Sequence, residues 1–169
     1  MKDANDWIER LGLEAHPEGG FFKQTYKSHE LIPKSALPER FPGDRAFSTG
    51  IYYLLNKNDF SAFHVIHQDE MWHFYDGSPL TIHVIDKQGT YSTIKLGRDI
   101  DHGEQPQAVV KAGCFFAAEV NNKESYSLVG CTVAPGFDFE DFKMPSRDQL
   151  IGMYPQHKEI IQMFTRESA

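Results

Sequence analysis

Basic residues, cysteines and long apolar runs are all scarce in this sequence of 169 residues. Lys and Arg number 17 against 24 Asp and Glu, so the net charge is -7, and no basic stretch is present that could follow a phosphate backbone. No apolar run is long enough to span a bilayer, and the first residues lack the apolar core of a signal peptide. The sequence therefore predicts a cytoplasmic protein that binds neither nucleic acid nor membrane.

The two cysteines, Cys114 and Cys131, both lie in apolar, strand-like runs. This setting indicates buried free thiols rather than a disulfide framework, which fits a reducing cytoplasm. The length suits one domain that buries its own core without disulfides or a structural metal. No repeat or linker divides the chain, so we expect a single domain over 1–169, with a barrel core of about 45–142 and a helical tail over 145–169.

Short β-type runs separated by polar turns fill the chain between Arg45 and Val133. Aromatic residues make up 13% of the sequence, which favours broad sheets. Eight such runs are the number that a jelly-roll barrel requires. The predicted fold class is all-β, a jelly-roll barrel with short N- and C-terminal helices. The runs cover 46–55, 61–67, 71–75, 80–85, 91–96, 107–111, 114–120 and 126–133, and a further strand is expected over 21–27.

The hairpin from Phe63 to Gly77 carries most of the chemical information, because it holds three histidines and a glutamate. Imidazole and carboxylate together can bind a divalent cation or divide proton transfer between a base and an acid. Side chains of a strand alternate between its two faces, so His64 and His67 point in opposite directions. The three histidines therefore cannot all converge on one site.

This hairpin resembles the first motif of the cupin superfamily, which reads His-x-His, three or four residues, Glu, six residues, Gly. His64, Glu70 and Gly77 match it, while Ile66 stands where the second His belongs. The segment 111–116 resembles the second motif, Pro-x-Gly-x-x-His, but there Phe116 replaces the His. Two of the four usual metal ligands are thus missing, and two ligands bind a metal weakly. We expect no metal cofactor, with a weakly held divalent ion at His64 and Glu70 as the lesser alternative.

Longer segments resemble one cupin family whose function is unassigned, and this likeness covers nearly the whole chain. The resemblance implies the cupin fold and a homodimer. It also implies a more distant similarity to nucleotide-sugar 3,5-epimerases, which are metal-free cupins that use a His base and a Tyr acid. The segments that carry it are His16-Pro17-Glu18-Gly19-Gly20, Phe63 to Gly77, Leu96-Gly97 with Gly103 to Gln107, and Gly130 to Phe137 with Phe139 to Phe142.

The candidate catalytic residues are His64, as a general base, and Glu70, as the carboxylate that orients it. Both occupy inward positions of the motif, and a carboxylate inside an apolar barrel needs a partner. Five further residues are candidates for substrate binding, each with a structural alternative. The aromatic residues Trp72, Phe74 and Phe116 form either core or flat walls for a ring, Gln107 either hydrogen-bonds inside or lies at a strand edge, and Tyr52 is either an acid opposite His64 or a packed strand tyrosine.

Three hypotheses about function follow from these residues. The first is an epimerase-like or isomerase-like enzyme that acts on a small polar molecule, such as a sugar derivative, inside the barrel. The second is a non-catalytic cupin that binds or senses a metabolite in the same pocket. The third is a metal-dependent cupin with an unusual ligand set. The substrate or ligand itself cannot be read from the sequence.

Overall fold

The computed structural model describes residues 2–167, which form three short helices and twelve strands. The helices are α1 (Ala4–Leu11), α2 (Arg147–Met153) and α3 (Lys158–Met163). The strands are β1 (Glu14–Ala15), β2 (Phe21–Lys27), β3 (Leu31–Ile32), β4 (Arg45–Ala46), β5 (Thr49–Leu55), β6 (Phe60–His64), β7 (Asp69–Gly77), β8 (Leu80–Ile85), β9 (Tyr91–Leu96), β10 (Gln107–Val110), β11 (Phe115–Val120) and β12 (Ser127–Ala134).

Two antiparallel sheets pack face to face and form the barrel. Six strands make one sheet in the order β1-β2-β5-β12-β7-β10, and four make the other in the order β6-β11-β8-β9. Strands β3 and β4 pair separately in a small third sheet. From β5 to β12 the chain passes repeatedly from one sheet to the other, with β8 and β9 as a hairpin within the four-stranded sheet, and such connections are those of a jelly roll. The predicted all-β jelly roll is confirmed.

The strands lie close to their predicted positions, but the barrel extends beyond the predicted core. Each of the eight predicted runs overlaps one strand, and the runs 80–85 and 91–96 match β8 and β9 residue for residue. Strand β2 pairs with β5, so the six-stranded sheet begins well before residue 45. In the tail, α2 starts after Ser146 with a capping box to Gln149, whereas α3 already ends at Met163. Residues 168–169 of the predicted tail lie outside the described residues.

Alternation along the strands separates a barrel interior from two covered outer faces. On β6, His64 points inside, while Phe63 points outward and packs in a cluster with Leu150 and Phe164. Helices α2 and α3 therefore cover the outer face of the four-stranded sheet. Helix α1 packs on the outer face of the six-stranded sheet, against Leu54 and Leu128. The barrel interior contains a separate cluster of large side chains, among them Tyr53, Trp72 and Phe116, and a cavity. No helix within residues 2–167 is long and apolar enough to cross a membrane.

Candidate functional site

A cavity of about 370 Å³ opens inside the barrel, between the two sheets. This volume lies near the lower end of the range for small-molecule sites, roughly 300–1,000 Å³. Phenylalanine and aliphatic side chains make up much of its wall, so any charged group there is partly desolvated. The ionisable or thiol side chains on the wall are His16, Glu18, Lys27, Tyr53, His64, Glu70, Cys131 and Asp138.

The loop from His16 to Gly20 carries Glu18 into this cavity, because its two glycines allow sharp turns. Gly19 has φ +112° and Gly20 has φ +74°, conformations that residues with a side chain rarely adopt. A Cβ on Gly19 would also collide with the carbonyl oxygen of Phe60 in β6. The loop thus runs tightly against the barrel wall, and only 6% of Glu18 stays exposed.

Hydrogen bonds from the barrel and from the C-terminal segment hold the backbone of this loop. The Ala62 N–H donates to the Glu18 carbonyl oxygen at 2.8 Å, and the Arg166 guanidinium donates to the same oxygen at 2.6 Å. The Tyr53 hydroxyl donates to the Gly19 carbonyl oxygen at 2.5 Å. Since Arg166 follows α3, the C-terminal segment helps to hold Glu18 in place.

His64 and Glu18 meet inside the barrel. The Nε2 atom of His64 lies 2.7 Å from Oε2 of Glu18. On the other side of the ring, Nδ1 lies 2.7 Å from the carbonyl oxygen of Ala62, which can only accept, so Nδ1 carries a proton. The ring packs against Phe116 and Phe142, with centroid separations of 4.0 and 5.4 Å. These contacts hold the imidazole in one orientation.

The surroundings of the pair favour its charged form, an imidazolium next to a carboxylate. Burial opposes both charges, but their mutual attraction outweighs it, so the pKa of His64 is raised and the pKa of Glu18 is lowered. The two side chains therefore neutralise each other inside the barrel.

Glu70 brings a second carboxylate to the cavity wall. Burial raises the pKa of Glu70 to about 7, and the negative charge of Glu18 adds to this effect, while the positive charge of His64 opposes it. At neutral pH the side chain is therefore present in both its protonated and its ionised form. A group in this state can accept and return a proton without a large energetic cost.

His16 adds a neutral imidazole beside the pair. The Glu18 N–H donates to Nδ1 of His16 at 3.1 Å, so this nitrogen presents a lone pair. Burial lowers the pKa of His16; the charge of Glu18 opposes this change and that of His64 reinforces it. The 3.5 Å separation between Nδ1 and Oε1 of Glu18 is thus a contact rather than an ion pair.

Four of the seven residues proposed from the sequence lie in or directly behind the cavity wall. His64, Glu70 and Trp72 line the cavity. Phe116 lies one layer further out, where it pairs with His64 across the sheet and packs against Trp72 at 6.3 Å. The alternation of side chains along β6 and β7 therefore predicts correctly that His64, Glu70 and Trp72 point towards the barrel interior.

Two of the other proposed residues point away from the cavity. Tyr52 packs on the outer face of the six-stranded sheet, beneath α1 and 6.1 Å from Tyr75. Its neighbour Tyr53 faces the interior instead, because adjacent residues of a strand alternate. Gln107 is exposed on the outer face, and its amide lies 3.1 Å from the His73 ring. Tyr52 and Gln107 are therefore corrections to the proposed substrate-binding set.

Phe74 is the third correction. It shares the inward parity of Glu70 and Trp72, but it packs against the barrel core further along β7, and it does not line the cavity. The guanidinium of Arg98 lies 5.4 Å from its ring. Parity gives the face of a strand, whereas the extent of the cavity along that strand depends on the surrounding loops.

Sequence reasoning misses Glu18, His16 and Tyr53. The residue types from His16 to Gly20 indicate only a turn, and no periodicity exists in a turn to show where Glu18 points. One signal in the sequence does point to Glu18. The segment that contains it, His16-Pro17-Glu18-Gly19-Gly20, is among those that resemble the unassigned cupin family.

The comparisons with known proteins agree with this architecture. A sequence model of a protein family described as cupin superfamily (DUF985) matches residues 5–145 of the chain. The chain belongs to this family. Among its relatives, the uncharacterised protein YML079W of Saccharomyces cerevisiae is 32% identical over 146 residues, which cover 81% of this chain and 70% of that protein. The resemblance to an uncharacterised cupin family is thereby confirmed.

Two solved structures resemble this DUF985 cupin over almost its full length. Protein SO0799 from Shewanella oneidensis has a TM-score of 0.90 and 41% identity, and the match covers 99% of this chain and 100% of that one. A hypothetical protein from Leishmania major has a TM-score of 0.88 and 32% identity, with 98% and 100% covered.

The cupin fold raises the question of a metal, and the donors of this DUF985 member do not fit one. Within residues 2–167, no group of three His, Cys, Asp or Glu side chains is arranged to hold a metal ion. The two motif positions that lack a ligand are filled by Ile66, in the cavity wall, and Phe116, against the His64 ring. Both nitrogens of His64 already face oxygen atoms, those of Ala62 and Glu18.

Proposed function

We propose that this cupin is an enzyme that moves a proton on a small polar molecule bound in the barrel, in the manner of an isomerase or epimerase. The observation that carries the proposal is the arrangement of Glu18, His64 and Glu70 on one cavity wall. Environments that push the pKa values of neighbouring groups apart are typical of acid–base sites. Here a fixed ion pair stands beside a carboxyl group whose pKa is about 7.

The structure favours a different division of roles from the one suggested by the sequence. His64 is held as a cation by Glu18, so it is a poor proton acceptor and a good electrostatic stabiliser. Glu70, in its carboxylate form, is the better base. It would take a proton from a carbon next to a carbonyl group, and the electron pair of the broken C–H bond would form an enolate stabilised by the nearby positive charge of His64. Return of the proton to that carbon or to its neighbour completes an epimerisation or an isomerisation.

Exchange with heavy water tests this step even when the product is unidentified. Metabolites that raise the melting temperature of the protein would be incubated with it in D₂O, and the loss of C–H signals would be followed by proton NMR. We expect exchange at one carbon with the wild-type protein and a rate at least about 100-fold lower with Glu70→Gln. Glu159→Gln, an exposed change on α3, serves as the control and should exchange normally.

The same experiment separates an enzyme from a metabolite-binding protein. A binding protein would use the cavity for recognition and would gain nothing from a carboxyl group with a pKa near 7. If metabolites bind in the cavity but none exchanges a C–H proton, the enzyme proposal fails and the binding function stands.

The place and assembly state of the protein are part of the same proposal. Cys114 and Cys131 are free thiols, and both are buried. Free thiols fit a reducing compartment, so we propose that the protein acts in the cytoplasm. The family resemblance supports action as a homodimer with a small-molecule ligand.

A further inference from the structure

An enolate formed in the barrel requires a hydrogen-bond donor for its oxygen, and two polar side chains of the wall have no N–H or O–H to spare. Both nitrogens of His64 already face oxygen atoms, those of Ala62 and Glu18. The Tyr53 hydroxyl donates to the Gly19 carbonyl oxygen. His64 therefore contributes its charge, and a directional donor has to come from another residue of the wall.

His16 carries such a donor. The Glu18 N–H donates to Nδ1 of its ring at 3.1 Å, so Nδ1 holds the lone pair and the proton of the neutral ring lies on Nε2. Within residues 2–167 this Nε2–H meets no hydrogen-bond acceptor, yet it is not sealed off as Nε2 of His83 is. The side chain is only 7% exposed, and it lines the cavity. The N–H is therefore free to bind a molecule inside the barrel.

Aromatic rings hold His16 in place and keep it neutral. Its ring packs edge-on against Phe22, with centroids 4.6 Å apart, and the rings of Tyr53, Phe139 and Phe142 lie at 6.0–6.1 Å. Burial in this setting lowers the pKa of the imidazole. A neutral ring fixed on several sides presents its N–H in one direction, as a preorganised donor requires.

We infer that His16 is a catalytic residue whose Nε2–H donates a hydrogen bond to the carbonyl oxygen of an aldehyde or ketone bound in the barrel. The inference rests on the proposed function, because it assigns the donor in that reaction. Glu70 takes the proton from the carbon next to the carbonyl group, and the electron pair of the broken C–H bond becomes the enolate. The enolate oxygen accepts a stronger hydrogen bond from His16, whose proton stays on Nε2. Return of the proton from Glu70 to carbon restores the carbonyl group.

The neutral charge of this donor indicates the class of substrate. An N–H without charge matches the uncharged carbonyl oxygen of an aldehyde or ketone, whereas carboxylate ligands are typically bound by arginine forks or several lysines. Because Glu70 and His16 line one cavity of about 370 Å³, a small molecule that meets the carboxyl group of Glu70 can also reach the imidazole.

NMR of the wild-type protein labelled with ¹⁵N at histidine tests the donor without any substitution. We expect the His16 ring to be neutral at neutral pH, with its proton on Nε2. Acetohydroxamate is a small planar mimic of an enolate, and on its addition the Nε2–H proton should move downfield and exchange more slowly with water. A protonated ring at neutral pH, a neutral ring with its proton on Nδ1, or no response to acetohydroxamate at about 50 mM would overturn the inference.

Two variants separate the donor from a structural role. His16→Phe keeps a ring among the aromatic side chains but removes the donor, so the rate of C–H exchange in D₂O should fall about 100-fold with KM nearly unchanged. His16→Gln places an amide nitrogen near the position of Nε2 and should restore part of the rate. His29→Phe, the same change at an exposed position, should leave the rate unchanged. A rate for His16→Phe close to that of the wild type would overturn the inference.

The results distinguish failure of this inference from failure of the proposed function. If no metabolite exchanges a C–H proton with the wild-type protein, the proposed function fails, and the response to acetohydroxamate alone decides whether His16 donates to a ligand. If exchange occurs and depends on Glu70 but not on His16, the proposed function stands and this inference fails.

Discussion

At the scale of single residues, this barrel maintains charges that its apolar interior disfavours. Glu18 and His64 keep their charges because each is the other's counter-ion. Glu70 has no dedicated counter-ion, so its pKa rises to about 7. Natural proteins carry such destabilising groups mainly where a function requires them.

Replacement of Glu70 by Gln should change how stability depends on pH. The pKa of Glu70 is about 7 in the folded protein against an ordinary value of 4.5, so between these pH values the folded state binds more protons than the unfolded state. Stability therefore falls as the pH rises through this window, by about 3 kcal/mol in total. The Glu70→Gln variant cannot ionise at this position. Its free energy of unfolding, measured with urea, should therefore rise by about this amount relative to that of the wild type between pH 5 and pH 8. Parallel pH profiles of the two proteins would contradict the assignment.

Replacement of Glu18 by Gln should lower the pKa of His64. The carboxylate is the main opposite charge near the ring, and without it burial drives the imidazole towards its neutral form. NMR titration of the His64 ring protons in the two proteins measures the change, with the surface variant Glu159→Gln as a reference. A His64 pKa that does not move in Glu18→Gln would show that the 2.7 Å contact has no electrostatic role.

At the scale of elements, the loop from His16 to Gly20 determines whether Glu18 reaches the cavity. Turn hydrogen bonds join His16 to Gly19 and Gly20 within the loop, but its position on the barrel depends on Arg166 and on contacts with β5 and β6. A small change in this loop should therefore affect the charge state of the cavity, although the loop contributes little to the core.

Gly19→Ala tests this dependence, with Gly103→Ala as a matched control. Both glycines have positive φ, but a Cβ at Gly103 meets nothing within 4 Å, whereas at Gly19 it collides with the Phe60 carbonyl. Each change should cost about 1–3 kcal/mol through backbone strain, and Gly19→Ala should cost more because of the collision. Urea unfolding measures both, and only Gly19→Ala should also lower the pKa of His64. Equal effects of the two variants would mean that the loop tolerates the displacement.

The strands, and one part of the site, could be predicted from the sequence because they follow a local rule. Alternation places His64, Glu70 and Trp72 on one side of a hairpin, and it does not depend on the remaining chain. Glu18 could not be placed in this way, since it lies in a loop whose direction depends on packing against β6. The choice between Tyr52 and Tyr53 could not be made correctly, because the register of β5 against its neighbours is a long-range property that periodicity does not reveal.

At the scale of the whole molecule, the family resemblance predicts a homodimer. The six-stranded sheet presents tyrosines outside the barrel, among them Tyr26 and Tyr75, which are 57% and 47% exposed. Exposed aromatic residues are typical of protein interfaces. Light scattering coupled to gel filtration should give a mass of twice 19.3 kDa, and a Tyr75→Glu variant should shift it towards 19.3 kDa. A wild-type protein that stays monomeric at high concentration would contradict the prediction.

The barrel holds a carboxyl group ready to exchange protons beside the ion pair of Glu18 and His64. The most direct test is a titration of the Glu70 side-chain carboxyl carbon by NMR in protein labelled with ¹³C at glutamate, assigned by comparison with Glu70→Gln. The account predicts a pKa of about 7 for Glu70, and a Glu18 carboxylate that stays ionised throughout this range. A Glu70 signal that titrates near 4.5, as an ordinary glutamate does, would contradict it.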